Sequence, residues 1–194
     1  MTAFKVVLIG ASKGGLKAVG AVLSELPADF SVPIVIVQHR QVESDERLVA
    51  LLQKRGKLEV REPQDKDDLV AGTVYLAPTD YHLLVEPGRL TLSTEAPVCR
   101  ARPSIDVLFE SAASSYGSAA LAVVLTGASE DGALGAASIA EAGGRVLVQR
   151  PTTAESPVMP EATIRAASTA EVLALEDVAA RLVALCMNEG EGVS

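Results

Sequence analysis

The chain has 194 residues, 48 % of them apolar and 3 % aromatic, no Trp, and a formal charge of −8. That length holds one domain with a sizeable core, and the acidity excludes a protein built around a basic nucleic-acid face. No apolar stretch nears ~20 residues and the N-terminus does not read as a signal peptide, so no membrane span is expected and a soluble, cytoplasmic protein is. Cys99 and Cys186 form neither a disulfide framework nor a metal pattern.

Residues 6–9 (Val-Val-Leu-Ile) are continuously apolar, as in a parallel strand buried on both faces. Gly10, Gly14 and Gly15 then permit a sharp turn into a helix that faces inward at Leu16, Val19, Val22, Leu23 and Leu26. A loop over 27–31 leads to a second buried strand at 33–38, which ends at His39 and Arg40. Residues 44–55 read as a helix with Leu48, Leu51 and Leu52 inward, and 58–62 as a third parallel strand. Short strands at 73–77, 82–85 and 89–92 are split by Pro78-Thr79-Asp80 and Pro87-Gly88, which predicts an antiparallel hairpin added to the sheet. His82 reads there as a turn residue. A loop at 95–103 carries Cys99, Arg100 and Arg102.

Ser104 is expected to cap a helix with Ile105, Leu108, Phe109 and Ala112 inward and Asp106 near its N-terminus. A strongly apolar strand at 120–125 ends at Thr126-Gly127, and Asp131-Gly132 opens a small-residue helix reaching Gly143-Gly144. A strand at 145–149, a loop at 151–160, a helix at 161–167, a strand at 171–175 and a helix at 176–187, with Val178, Leu182 and Leu185 inward, complete the chain. The sum is an α/β fold: a doubly wound, mainly parallel sheet flanked by helices, with a short antiparallel hairpin addition. One domain is expected over residues 1–188, with a frayed tail at 189–194.

Ser12 lies on the first strand-to-helix turn, and three readings compete for it. It is a helix N-cap, part of a G-x-G-x-x-G dinucleotide loop, or the serine of G-x-S-x-G. Serine at the middle glycine position obstructs a pyrophosphate, which makes an NADP site using Arg40 a distant alternative. Ser12, His39 and Asp131 each follow the carboxyl end of a strongly apolar strand. A parallel sheet puts those ends on one edge, and serine, histidine and aspartate are the set needed for nucleophilic acyl transfer. The order Ser, His, Asp departs from the α/β-hydrolase order Ser, Asp, His. Taken alone, His39 is a polar strand end and Asp131 a helix cap; their coincidence at one edge favours catalysis.

The stretches Gly10-Ala11-Ser12-Lys13-Gly14-Gly15, Gln38-His39, Tyr75-Leu76-Ala77-Pro78, Arg102-Pro103-Ser104-Ile105-Asp106-Val107-Leu108-Phe109 and Leu125-Thr126-Gly127-x-x-x-Asp131-Gly132 resemble the catalytic domain of CheB, the chemoreceptor protein-glutamate methylesterase family. The resemblance implies a triad on Ser12, His39 and Asp131 that hydrolyses glutamate γ-methyl esters on receptor signalling helices and releases methanol. It also implies glutamine deamidation, as in many members, and no metal or organic cofactor. Oxyanion donors are expected near Ala128 and at the start of the first helix. Lys13, Arg40, Arg100 and Arg102 are expected to meet an acidic receptor surface.

Members usually carry a response-regulator domain ahead of the catalytic one. The resemblance starts near Val6, so the expectation is a stand-alone domain, constitutive or controlled by a separate response regulator. Lys13 stands where threonine is frequent, Ala128 where methionine is, and Ala101 where a histidine is, which bears on substrate fit. The alternatives are a serine esterase or amidase acting on another substrate, and an idle interaction module.

Overall fold

A computed structural model describes residues 4–40 and 45–187; the expected helix start at Ser44 and the expected tail lie outside them. The strands are β1 (Val6–Ala11), β2 (Ile34–Gln38), β3 (Glu59–Arg61), β4 (Thr73–Leu76), β5 (His82–Glu86), β6 (Arg89–Ser93), β7 (Ala120–Val124), β8 (Arg145–Gln149) and β9 (Glu171–Leu173). The helices are α1 (Gly15–Glu25), α2 (Asp45–Arg55), α3 (Ile105–Tyr116), α4 (Ala133–Glu141), α5 (Val158–Ala166) and α6 (Leu175–Cys186). None of the described helices is long and apolar enough to cross a membrane.

Seven strands form one parallel sheet in the order β3-β4-β2-β1-β7-β8-β9. The chain runs outward from β1 to one edge and then returns to β7 on its other side. The crevice outside the carboxyl ends of β1 and β7 is therefore the switch point where ligands bind in such sheets. Alternation along the strands divides the core in two. Val7, Ile9, Ile34 and Ile36 face α1, α2 and α6, whereas Val6, Leu8, Val35 and Val37 face α3, α4 and α5.

Several expectations are corrected. Residues 73–76 do not join the hairpin; they form β4, which inserts between β2 and β3 because Val74, Tyr75 and Leu76 are buried on both faces. The hairpin β5–β6 is a separate two-stranded sheet. Its open edge is satisfied by α3, where Ser111 Oγ accepts from Val85 N–H at 3.0 Å and Ser115 Oγ donates to Val85 O at 2.9 Å. His82 is not a turn residue but the buried first residue of β5. Leu51 is 42 % exposed, because Leu48 and Leu52, one turn apart, form the inward stripe of α2. Helix α5 begins three residues before the expected Glu161; Pro160 sits in its first turn, where a missing N–H costs nothing. Leu175 opens α6 instead of closing β9.

Gly10 sets the distance between sheet and helix at the carboxyl edge. A Cβ there would lie 2.5 Å from Cγ2 of Ile105, the first residue of α3. Gly10→Ala should therefore cost about 1–3 kcal/mol of stability by overpacking. Chemical denaturation checks this, and adding Ile105→Val should recover part of the loss.

Candidate active site

The expected nucleophile turn is built as its sequence suggests. Gly14, at φ 79°, is the N-cap of α1 and makes no side-chain capping bond, so Ser12 is not the cap. The Ser12 N–H donates to Thr126 O at 3.0 Å, and its carbonyl accepts from Gly15 N–H at 2.8 Å. Ser12 is half-buried, and its hydroxyl makes no hydrogen bond among the described residues. Gly127 is required beside it, since a Cβ there would lie 3.0 Å from the Ser12 Cβ and 2.6 Å from Cε of Met159.

The parallel register carries Ala11 opposite Gln38, so the next step sets Ser12 beside His39. The bond from His39 N–H to Ala11 O, 2.9 Å, continues that ladder. Alternation puts both side chains on the α3–α4 face, with Leu8 and Val37. There His39 Nε2 meets Asp131 Oδ2 at 2.7 Å. With Nε2 held by a carboxylate, the imidazole keeps its N–H on Nε2 and presents Nδ1 as the basic nitrogen.

Asp131 is fully buried and precedes the N-cap of α4, yet its carboxylate caps α3. Oδ2 accepts from Ile105 N–H at 2.7 Å; Oδ1 accepts from Ser104 Oγ at 2.8 Å and Asp106 N–H at 3.0 Å. Asp106 does the reverse: its Oδ1 accepts from Gly132 N–H and Gly135 N–H, at 2.9 and 2.8 Å, at the start of α4. Burial opposes the charge on Asp131, but His39, the two amides and the Ser104 hydroxyl together hold its carboxyl below the usual aspartate range. Asp106 goes the other way: burial, with the Asp131 charge adding to it, pushes its carboxyl up despite the two glycine amides.

The remaining expected residues divide. Arg40 is nearly buried, donating to Glu62 Oε1 at 2.6 Å and Ala77 O at 3.1 Å. Arg102 is tied to Asp80 Oδ1 and to the carbonyls of Thr94 and Glu95 at 2.9 and 3.0 Å, so it shapes the 95–103 loop. Lys13 and Arg100 are exposed and have no ion-pair partner among the described residues. Ala128 is exposed; its N–H and that of Lys13 find no acceptor among the described residues, whereas the amides of Ser12 and Gly127 are already used. His82, the other histidine, accepts from Ser104 N–H at Nδ1 (3.2 Å) and bonds Ala96 O through Nε2 (3.1 Å), which leaves it no free nitrogen to act as a base.

Cys99 Sγ, Asp106 and Asp131 offer three ligand atoms within 4.8 Å of one another. The donor set fits a metal poorly, because main-chain amides already occupy both Asp131 oxygens and Asp106 Oδ1, and the Cys99 thiol donates to Asp106 Oδ2. Burial and the two carboxylates also push the Cys99 thiol up, away from the thiolate a metal needs. Sequence reasoning assigned no role to Gln38, to the Ser104 hydroxyl on Asp131, or to Asp106 as the cap of α4. Only the Ser-x-Asp spacing at the entry of α3 hinted at the last two.

Asp131→Asn would set an NH₂ against the Ile105 or the Asp106 N–H, whichever oxygen it replaces, and should cost about 1–3 kcal/mol through an unpaired buried polar contact. Because the folded carboxyl sits below its unfolded value, the wild-type advantage should be complete above the ordinary aspartate range. It should be lost as pH falls through the depressed value. Denaturation of both proteins across acid pH measures it.

The sequence model of the CheB methylesterase family matches residues 7–182. A Leptospira interrogans protein is 41 % identical over 189 residues, which is 97 % of this chain and 98 % of that one. A Myxococcus xanthus protein-glutamate methylesterase/protein-glutamine glutaminase is 42 % identical over 186 residues, 95 % of this chain but 53 % of the longer relative. The solved catalytic domain of Thermotoga maritima CheB methylesterase superposes with a TM-score of 0.89 at 31 % identity, covering 95 % of this chain and all of that one. The chain belongs to the CheB methylesterase family.

Proposed function

We propose that this chain hydrolyses glutamate γ-methyl esters on the cytoplasmic signalling helices of chemoreceptors, with Ser12, His39 and Asp131 as its catalytic residues. The observation that carries the reading is the 2.7 Å His39–Asp131 contact one register step from Ser12, at the sheet's switch point. Family membership and the names of relatives such as the Myxococcus protein support the substrate class.

In this mechanism the Ser12 Oγ attacks the γ-carbonyl carbon while His39 Nδ1 takes its proton, and Asp131 stabilises the imidazolium. The carbonyl oxygen becomes an oxyanion, received by the N–H groups of Lys13 and Ala128. Collapse expels the methoxy group, which leaves as methanol with the proton from His39. Water then attacks the acyl-enzyme with His39 again as base, releasing the glutamate carboxylate and restoring Ser12. A glutamine side chain follows the same course with ammonia leaving, so the same site accounts for deamidation. No step calls on a metal or cofactor. Unliganded nucleophile–base pairs are commonly loose and tighten when substrate binds, in keeping with the unbonded Ser12 hydroxyl.

Of the basic residues, Lys13 and Arg100 are the ones placed to steer an acidic receptor helix, since Arg40 and Arg102 serve internal partners. A separate response regulator as the controlling partner belongs to the same proposal.

Methanol release from methylated receptor signalling fragments should occur with the native chain and vanish with Ser12→Ala; equal release from both would remove Ser12 from the mechanism. Asp131→Asn should lower kcat by about 10⁴, because an amide favours the wrong imidazole tautomer. Neutralising Lys13 and Arg100 together to Gln should lower kcat/KM at low salt and flatten its salt dependence. Arg102→Gln should instead act through stability of the 95–103 loop.

A further inference from the structure

The side chain of Gln38 faces away from the triad. It lies on the α1 face of the sheet with Ile34 and Ile36, and is 7 % exposed. Yet its amide wraps over the end of the sheet, and Nε2 donates to the carbonyls of both Ser12 and His39, at 2.8 and 2.9 Å. One NH₂ group therefore bridges the main chains of the residues read above as nucleophile and base.

The register explains why a donor is needed there. Along β1 and β2 each odd-numbered residue of β2 donates to one residue of β1 and accepts from the residue two further on. His39 N–H keeps the pattern with Ala11 O, and the next bond would run from Lys13 N–H to His39 O. That bond is absent: Lys13 has left the strand for the turn, and its N–H has no acceptor among the described residues. Gln38 Nε2 supplies the missing donor to His39 O, and the same group gives the Ser12 carbonyl a second donor beside Gly15 N–H.

The arrangement carries a cost. Gln38 Oε1 is buried with no partner, a state that native proteins largely avoid. It packs against Gly15, where any Cβ would collide with it.

We infer that Gln38 is a positioning residue of this active site. It ends the β1–β2 ladder, fixes Ser12 and His39 relative to each other, and leaves the Lys13 N–H free to receive the oxyanion. The inference rests on the proposed roles of Ser12 and His39.

The test compares the full chain with Gln38→Met, which lacks the donor, and Gln38→Glu, which sets an acceptor against two carbonyls. Each is assayed for kcat and KM on methylated receptor fragments and for the rate at which a fluorophosphonate probe labels Ser12, a reaction that forms an Oγ–P bond and expels fluoride. The expected result is a loss of about 10²-fold in kcat and in labelling rate, with KM within twofold, as for a misplaced reacting group. Thermal unfolding identifies the folded variant to be judged, so either substitution suffices if the other does not fold. Labelling and kcat within threefold of the native chain in a folded variant would overturn the inference, as would a change confined to KM. Failure of the native chain itself to label would instead overturn the reading of Ser12 as nucleophile, and this inference with it.

Discussion

Two buried carboxylates exchanged between two helices hold this site together. Asp131 stands at the entry of α4 and caps α3; Asp106 stands in the first turn of α3 and caps α4. Each helix N-terminus has orphan amides and a positive dipole end, and each receives carboxyl oxygens carried by its neighbour. Charge-assisted bonds are worth about 1.5–3 kcal/mol each, and several converge on each carboxylate. That is the scale needed to offset a desolvation penalty of several kcal/mol per buried ion. The two groups do not share the charge equally. Four donors hold the Asp131 carboxyl below the usual aspartate range, while burial, fewer donors and a negative neighbour push the Asp106 carboxyl up.

This exchange gives Asp131 its orientation. Three donors from the start of α3 fix the carboxylate from behind, so Oδ2 reaches His39 without choosing among rotamers. The helix can come close enough only because Gly10 leaves room for Ile105 on the sheet and Gly135 leaves room for Phe109 and the Asp106 backbone. On the other side of the imidazole, the sheet register sets Ser12 beside His39. The geometry of the proposed triad therefore has two independent supports, the strand ladder for serine and histidine and the helix pair for aspartate. They meet at the imidazole.

Basic residues that look alike in the sequence serve different ends in the fold. Arg40 and Arg102 are held by Glu62 and Asp80, and each also donates to main-chain carbonyl groups, Arg40 to one and Arg102 to two. Guanidinium groups suit such multidentate work. Lys13 and Arg100, with no ion-pair partner among the described residues, remain at the surface. The hairpin β5–β6 contributes from a distance, through His82, which accepts from Ser104 N–H and so steadies the residue whose hydroxyl holds Asp131.

The strands, the helices and their alternation were legible in the sequence, because continuous apolar runs and 3.6-residue stripes are local patterns. So was the placement of Ser12, His39 and Asp131 on one edge, since parallel strands share a polarity. Strand order was not legible: residues 73–76 look like the hairpin that follows them, and only pairing with β2 on one side and β3 on the other, with both faces buried in the core, makes them an interior strand. Nor did the sequence distinguish His82 from a turn residue, or Arg40 from a free cation, since those facts depend on partners far along the chain. Above all, the sequence named Asp131 as an orienting carboxylate but could not say what orients Asp131, or what lets Lys13 leave the ladder at Ser12. Those answers lie in Ser104, Asp106 and Gln38, polar residues whose roles come from hydrogen bonds closed only when α3, α4 and the end of β2 pack together.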